Sequence, residues 1–275
     1  MKARVLLVVA VVGLAGCDAA EAREPGPDLA VAESSPAQRY RGSGFVIEDA
    51  THGPQLCETA TASLVPQCQG LDIAGWSWDA VAHTTRGATR FGRFEVTGTY
   101  DGSRLTLTEP PGPPRPPADR SSPDFTSPCP APAGGWRVVD DAKATDAALE
   151  RARALVASTP DAGGLWVDLR DDTNDPRTLV LNVRTTGDPA THEKRLRRVW
   201  GGALCVSPAT RTTAELERIQ AGVEKSFPGV FQAGIDVVAN RVSARIYVAT
   251  DETRRAADER FGPGAVELVP FLRPV

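Results

Sequence analysis

The sequence of 275 residues has no apolar stretch that is long enough to cross a bilayer. A membrane-spanning helix needs about 20 apolar residues, whereas the longest run, Val5 to Ala15, has 11. Aromatic residues are also few, and there are only three histidines. The lack of a long apolar run predicts that no helix of this chain spans a membrane. The shortage of histidines leaves few residues for a histidine-based catalytic centre.

The motifs of nucleophilic catalysis are missing. A Ser-His-Asp or Cys-His centre requires a histidine beside its nucleophile, and the sequence contains no G-x-S-x-G motif. His192 lies four residues before Leu196 on a predicted helix, so it shares the apolar face and is predicted to be a structural histidine. The sequence therefore predicts no catalytic residue and no cofactor.

Metal-binding patterns fail in a similar way. The acidic turn Asp171–Asp175 invites a calcium interpretation, but an EF-hand loop needs Gly at its sixth position and Glu at its twelfth. Those positions hold Pro176 and Asn182, so a solvated hairpin loop is predicted instead. The cysteines lack the C-x₂₋₄-C spacing of zinc sites. We predict no metal.

The charge balance excludes one class of partner. Removal of residues 1–16 takes away Lys2 and Arg4 and changes the net charge from −4 to −6. A mildly acidic protein lacks the basic footprint of nucleic-acid binding, and its surface charge does not attract anionic lipid. The basic residues are almost all arginine, a usage that indicates a high-GC genome such as that of an actinobacterium.

The first seventeen residues have the layout of a bacterial secretory signal: a short basic start, an apolar run and a cysteine. Leu14-Ala15-Gly16-Cys17 resembles a lipobox. The resemblance implies cleavage before Cys17, a diacylglycerol thioether on Cys17, with or without a further acyl chain such as palmitate, and attachment to the outer face of the cell membrane. An ordinary secretion signal is the alternative. We predict a signal peptide over residues 1–16 and a lipidated, unstructured tether over residues 17–38.

Four further cysteines, an even number in an exported chain, predict disulfides. Three pairings are possible. We favour Cys57–Cys68, which closes a short local loop, and Cys129–Cys205, which ties the end of a proline-rich segment to the C-terminal part of the chain. The same oxidation removes these cysteines as nucleophiles.

The predicted fold class is α+β, in two modules. Residues 40–109 form short strands, and Asp101-Gly102 between two alternating runs is a strong hairpin signal; a small barrel, best matched by an OB-like fold, is predicted. Ten prolines between Pro110 and Pro132 predict a spacer over residues 110–134. Residues 135–275 are predicted to form an antiparallel sheet with helices packed on one face.

One ligand surface is predicted within the first module. Trp76 and Trp78 are two residues apart, so in a strand over Trp76–Ala82 both indoles face the same side. Together with His83 and Phe91 they form either a platform for a ligand or the closed end of the barrel.

The chain resembles two-module lipoproteins of actinobacteria. The stretches that carry the likeness are Gly44-Phe45-Val46, Pro54-Gln55-Leu56-Cys57, Gly75-Trp76-Ser77-Trp78-Asp79, the hairpin at Tyr100 and Val199 to Val206. The resemblance implies no particular activity. The predicted hairpin from Ile235 to Val242 is more weakly similar to propeptides of secreted bacterial serine proteases.

The leading functional hypothesis is a non-enzymatic lipoprotein, held by its lipid anchor, that binds a protein partner in the cell envelope or a ligand. Two alternatives from other classes stay open: an extracytoplasmic hydrolase with a non-standard site, and a protease inhibitor or propeptide-like module.

Overall fold

The computed structural model describes residues 38–116, 124–171 and 173–275. The predicted signal peptide, Cys17 and nearly all of the predicted tether lie outside the described residues, as do residues 117–123 of the predicted spacer and Asp172 of the acidic turn. Among the described helices, none is both long enough and apolar enough to cross a membrane.

The described elements comprise strands, four α-helices and two short 3₁₀ turns. The strands are β1 (Arg39–Glu48), β2 (Gln55–Cys57), β3 (Leu71–Ala74), β4 (Thr84–Arg86), β5 (Thr89–Tyr100), β6 (Arg104–Leu107), β7 (Ala162–Asp168), β8 (Val180–Thr185), β9 (Ala203–Pro208), β10 (Val230–Asp236), β11 (Arg241–Ile246), β12 (Val266–Pro270) and β13 (Arg273–Pro274). The helices are α1 (Asp146–Ala157), α2 (Pro189–Leu196), α3 (Thr213–Ser226) and α4 (Asp251–Phe261), and the 3₁₀ turns are Trp78–Ala80 and Asp141–Lys143.

The first part of the chain is a closed five-stranded barrel. Its strands follow the order β1-β2-β3-β6-β5, and β5 pairs back onto β1 to close the ring. All neighbours are antiparallel except β3 and β6, which are parallel. Val46, Phe94, Val96 and Leu105 fill the interior. This arrangement confirms the barrel that the sequence predicted.

Two local predictions for the barrel are confirmed. The hairpin of β5 and β6 turns at Asp101, whose carboxylate accepts hydrogen bonds from the backbone N–H groups of Ser103 and Arg104. Gly102 has a φ of 102°, a conformation that favours glycine. The favoured Cys57–Cys68 disulfide is present and closes the loop between β2 and β3.

The remaining elements form two units with the same α-β-β-α-β order. The first is α1-β7-β8-α2-β9 and the second is α3-β10-β11-α4-β12. In each unit the first two strands are antiparallel, and the third strand, reached through a helix, runs parallel to the second. Each three-stranded sheet buries an apolar face under its own helices.

The two units repeat features of sequence as well as topology. The repeated features are an N-cap threonine (Thr145 and Thr212), a Leu-Glu-Arg run in the first helix (residues 149–151 and 216–218) and a register shift in the first strand (Ala162/Gly164 and Val230/Gln232). These features recur at a spacing of 67 or 68 residues, and recurrence at a nearly fixed spacing indicates a repeated unit. We therefore describe residues 145–208 as the first unit and residues 212–270 as the second.

The end of the chain returns to the barrel. Phe271 and Leu272 are buried in the barrel core, and β13 pairs with β1. Arg245 of the second unit forms a bidentate ion pair with Glu58 of the barrel. The barrel and the two repeated units accordingly belong to one compact body within residues 38–275, although the predicted spacer separates the barrel from the repeated units in sequence.

A segment of the predicted spacer crosses the first unit. We call residues 124–136 the strap. The favoured Cys129–Cys205 disulfide is present and fixes the strap to β9. Cys129 and Trp136 pack on Val180, Ala203 and Cys205, on the sheet face opposite the helices. The strap therefore covers a face that would otherwise be open.

The α+β class is confirmed, while two details differ from the prediction. The predicted single antiparallel sheet is replaced by two sheets of mixed direction, because residues 203–208 form a strand that the sequence interpretation missed. The predicted strand Trp76–Ala82 is a bend followed by a 3₁₀ turn, in which Gly75, with a φ of 79°, turns the chain away from β3.

Candidate functional site

The structure brings together three of the four residues of the predicted ligand surface. Trp76 and Trp78 meet edge to face with ring centroids 5.2 Å apart, and His83 lies 4.9 Å from Trp78. Phe91 lies on β5 an odd number of residues from Phe94, so its side chain points to the opposite side of the strand. Among the described aromatic contacts, Phe91 has none with the other three rings.

Sequence reasoning missed the residues that hold this cluster. Phe94 replaces Phe91, because both indoles pack on its ring at 5.0 and 6.3 Å. Glu48 accepts a hydrogen bond of 2.6 Å from Nε1 of Trp78 and a second of 2.6 Å from Arg90. The alternation of β5 was the available signal, since Phe94 and Val96 share one face of that strand and Phe91 lies on the other.

This arrangement closes one end of the barrel. Trp78 is only 5% exposed, and its polar atom is occupied by Glu48. Trp76 belongs to the periphery of the same core. Its Nε1 is buried and has no hydrogen-bond partner among the described residues. The two indoles thus face the interior more than the solvent, whereas His83 is exposed, and the ligand role of these residues stays a prediction.

His192 is held as a structural histidine. Its Nε2 lies 2.9 Å from Oδ2 of Asp161, and its side chain is 11% exposed. The hydrogen bond with His192 lowers the pKa of Asp161 below the ordinary value of 3.8. Within the described part of the chain no hydroxyl is hydrogen-bonded to the imidazole, so the geometry of a nucleophile activated by a histidine is not formed.

Metal coordination has no site in the described residues. No group of three or more His, Cys, Asp or Glu side chains lies close enough there to hold an ion. In the acidic turn, Asp171 accepts hydrogen bonds from Thr173 and Thr178, so its carboxylate organises the turn itself.

A groove of about 730 Å³ lies beside β7. We call it the β7 groove. It is lined by Asp124, Phe125 and Thr126 of the strap, by Arg153 of α1 and by residues 165–169. Phe125 and Leu169 are among the few large apolar side chains exposed to solvent, at 47% and 38%. The sequence singled out none of these residues as functional, because the groove joins segments that are distant along the chain.

The strap forms a fixed wall of this groove. The carbonyl of Phe125 accepts a hydrogen bond of 3.1 Å from Nε1 of Trp166, and the backbone N–H of Ser127 donates to Asp168 at 2.9 Å. Asp124 accepts from the N–H of Thr126 at 3.0 Å, and this bond lowers the pKa of its carboxyl. The two carboxylates on the rim are therefore already hydrogen-bonded within the protein.

The groove runs along the edge of the sheet rather than over a face. Leu165 and Val167 point towards the helices, whereas Trp166 and Asp168 point towards the strap, yet all four line the same groove. Side chains from both faces of the sheet can line one groove only at the outer edge of β7, where the two faces meet. In the described sheet, β7 pairs with β8 on one side and with no strand on the other. Such an edge presents backbone donors and acceptors to a further strand.

Comparisons with known proteins do not supply a family: no family model matches the chain, and no curated protein is significantly similar to it. The functional argument therefore stands on the groove and on the residues that form it.

Proposed function

We propose that this protein is an extracytoplasmic lipoprotein that binds an extended segment of a partner protein in the β7 groove, without catalysing a reaction. The β7 groove is the observation that carries the proposal, because it combines a free strand edge with exposed apolar side chains. The lipobox-like sequence supports attachment through Cys17, and the two disulfides suit an oxidising compartment.

The shape of the groove favours a single extended chain. Residues 165–169 extend over about 13 Å at the usual rise of a strand, which matches about five residues of a bound peptide. The strap lines the groove on one face of the sheet and Arg153 of α1 lines it on the other, so an occupant lies between two walls. A single extended segment fits between two walls more readily than the rigid sheet edge of a second copy does.

The chemistry of the groove indicates the character of the bound segment. Phe125, Leu165, Val167 and Leu169 supply apolar contacts, while the Asp124 and Asp168 carboxylates are engaged by strap N–H groups. Strand addition obtains affinity from main-chain hydrogen bonds and specificity from alternate side chains. The expected occupant is therefore an uncharged, extended segment with apolar residues at alternate positions.

The decisive test uses peptides of alternating apolar and polar residues and the purified chain. Binding is measured by fluorescence anisotropy for the wild type and for Phe125→Asp and Leu169→Asp, with Leu64→Asp as the matched control on an unrelated exposed leucine. We expect each groove variant to weaken binding at least about tenfold, and N-methylation of alternate peptide amides to abolish it. A peptide that binds equally well to the groove variants or after methylation would overturn strand addition, as would a library without any binder.

The membrane attachment has its own experiment. In an actinobacterial host, the wild type is expected in the membrane fraction with the mass of a diacylglycerol adduct, and Cys17→Ser in the soluble exported fraction. Unchanged fractionation and mass for Cys17→Ser would refute the anchor while leaving the β7 groove to be judged on its own data.

A further inference from the structure

A second cavity, of about 390 Å³, lies in the second unit, away from the residues of the β7 groove. It is bounded by the loop before α3, the first turns of α3 and the end of α4. Its lining residues are Arg211, Glu215, Arg218, Ile219, Arg260 and Phe261. We call it the arginine pocket. Its size lies within the range of small-molecule sites, towards the lower end.

The arginine pocket carries an excess of positive charge. Its three arginines come from three separate elements and face a single carboxylate, that of Glu215. Among the described residues, none of the three arginines forms an ion pair within 4.0 Å of a carboxylate. An arginine has five N–H donors in a planar fork that suits phosphate and carboxylate oxygens.

Glu215 does not neutralise this charge by binding the guanidiniums. Its carboxylate accepts hydrogen bonds from the N–H and the hydroxyl of Thr212, at 2.7 and 3.0 Å, in a capping box. These bonds, helped by the nearby charges of Arg218 and Arg211, lower the pKa of Glu215. The carboxylate of Glu215 is thus engaged in capping the N-terminus of α3.

Two of the arginines are positioned by contacts that leave donors available. Arg211 uses one Nη to donate to the carbonyl of Pro263 at 3.0 Å. The guanidinium of Arg260 lies 5.7 Å from the ring centroid of Phe261. Ile219 and Phe261 add a half-buried apolar surface beside these charges. The pocket therefore combines a cationic rim with an apolar wall.

The repeated unit provides an internal comparison. The first-unit residues at the positions of Arg211, Glu215 and Ile219 are alanines, namely Ala144, Ala148 and Ala152. All three alanines are buried. Arg218 has a basic counterpart, Arg151, in the Leu-Glu-Arg run, and Arg260 at the end of α4 corresponds to the basic end of α2 at Arg197 and Arg198. The α-β-β-α-β fold consequently forms without this set of charged residues, and the arginine pocket is specific to the second unit.

We propose that the arginine pocket binds a small organic phosphate that carries an apolar group. The phosphate oxygens accept hydrogen bonds from the guanidiniums, and the apolar group packs on Ile219 and Phe261. Charge-assisted hydrogen bonds from arginine are stronger than neutral ones, and the apolar wall selects against inorganic phosphate. This site is separate from the β7 groove and does not depend on the function proposed for it.

The test measures binding of phenyl phosphate and inorganic phosphate to the purified chain by calorimetry or by perturbation of NMR signals. Phenyl phosphate is expected to bind more tightly than inorganic phosphate. Arg218→Glu and Arg260→Glu should each weaken its binding at least about tenfold. Arg151→Glu, the matched substitution in the first unit, should leave binding unchanged, and circular dichroism checks that each variant is folded.

Two results would overturn the proposal: no saturable binding of phenyl phosphate, or binding that Arg151→Glu weakens as much as Arg218→Glu. A phosphate with an apolar group can belong to a lipid headgroup or to a soluble phosphate ester. Competition between phenyl phosphate and phosphatidylglycerol vesicles distinguishes these two sources. Displacement of phenyl phosphate by the vesicles identifies a lipid headgroup, and failure to displace it identifies a soluble phosphate ester.

Discussion

The side-chain amide of Asn240 donates a hydrogen bond of 2.9 Å to the carbonyl of Gly163 and so joins the two repeated units. Asn240 lies in the turn between β10 and β11, while Gly163 lies at the register shift of β7. A side chain on Gly163 would collide with Ala209 and the carbonyl of Arg211. The segment of Ala209 and Arg211 that leads into the second unit can therefore approach β7 closely only because residue 163 is glycine.

The amide of Asn240 makes every hydrogen bond that a primary amide can make. Its Oδ1 accepts from the N–H groups of Thr210 and Arg211 at 2.9 and 2.8 Å, and its Nδ2 also donates to the carbonyl of Arg211 at 2.9 Å. The residue is 3% exposed and has a φ of 53°, where asparagine is tolerated better than most residues.

The first prediction concerns this connection. Asn240→Gly keeps the backbone conformation but removes four hydrogen bonds, one of them buried and three partly buried, so we expect a loss of about 2–4 kcal/mol in the free energy of unfolding. Asn240→Ala should lose about 1 kcal/mol more, because alanine resists a positive φ. Urea denaturation measures both, with Asn174→Gly in an exposed loop as the control. A stability of Asn240→Gly equal to that of the control would refute the role of the side chain.

The second prediction compares the two disulfides. Cys129–Cys205 closes a separation of 76 residues and Cys57–Cys68 one of 11. In the chain-entropy model these loops correspond to about 4.5 and about 3 kcal/mol of stabilisation. Replacement of both cysteines of a pair by alanine should therefore cost more for Cys129–Cys205, as measured by urea denaturation.

The same pair of variants tests the strap. Loss of Cys129–Cys205 releases the wall of the β7 groove, so peptide binding there should weaken, whereas loss of Cys57–Cys68 in the barrel should leave it unchanged. Equal peptide affinity in the two double variants would show that the groove does not need the disulfide.

Features that depend on neighbouring residues were accessible from the sequence. The Asp101-Gly102 turn and the capping box of Thr212 and Glu215 are local, because each is decided by a few adjacent side chains. The disulfide pairing was favoured on two grounds, the short local loop closed by Cys57–Cys68 and the tie that Cys129–Cys205 makes between the proline-rich segment and the C-terminal part of the chain. The repeat also had a local signal, the Leu-Glu-Arg runs that start at Leu149 and Leu216. Two such short runs indicate a repeat only when the α-β-β-α-β order that follows each of them is known.

The β7 groove could not be predicted, for a physical reason. It exists because Phe125 hydrogen-bonds to Trp166, 41 residues away, and because no described strand covers the outer edge of β7. Neither fact leaves a periodic pattern in the sequence. The choice of Phe91 over Phe94 has a different cause: the alternation of β5 separates the two side chains, but the sequence does not show that the indoles of Trp76 and Trp78 pack on the face of Phe94.

The third prediction concerns Tyr247, which lies where the second unit meets the barrel. Its ring stacks on Phe231 at 4.8 Å and approaches Tyr100 at 6.3 Å. Burial, followed by the charges of Tyr100 and Asp72, raises the pKa of Tyr247 from 10.0 to about 12. The folded state thus holds this proton more tightly than the unfolded state, and stability is lost as the pH rises from the unfolded towards the folded pKa.

Two measurements check this prediction. Absorbance of tyrosinate during alkaline titration should show a component near pH 12 that disappears in Tyr247→Phe and persists in Tyr40→Phe. Urea denaturation between about pH 9 and 11 should show a steeper loss of stability for the wild type than for Tyr247→Phe, since the variant has no proton to release at that position. If both proteins lose stability in parallel over this range, burial of the Tyr247 hydroxyl does not contribute to the alkaline limit of the fold.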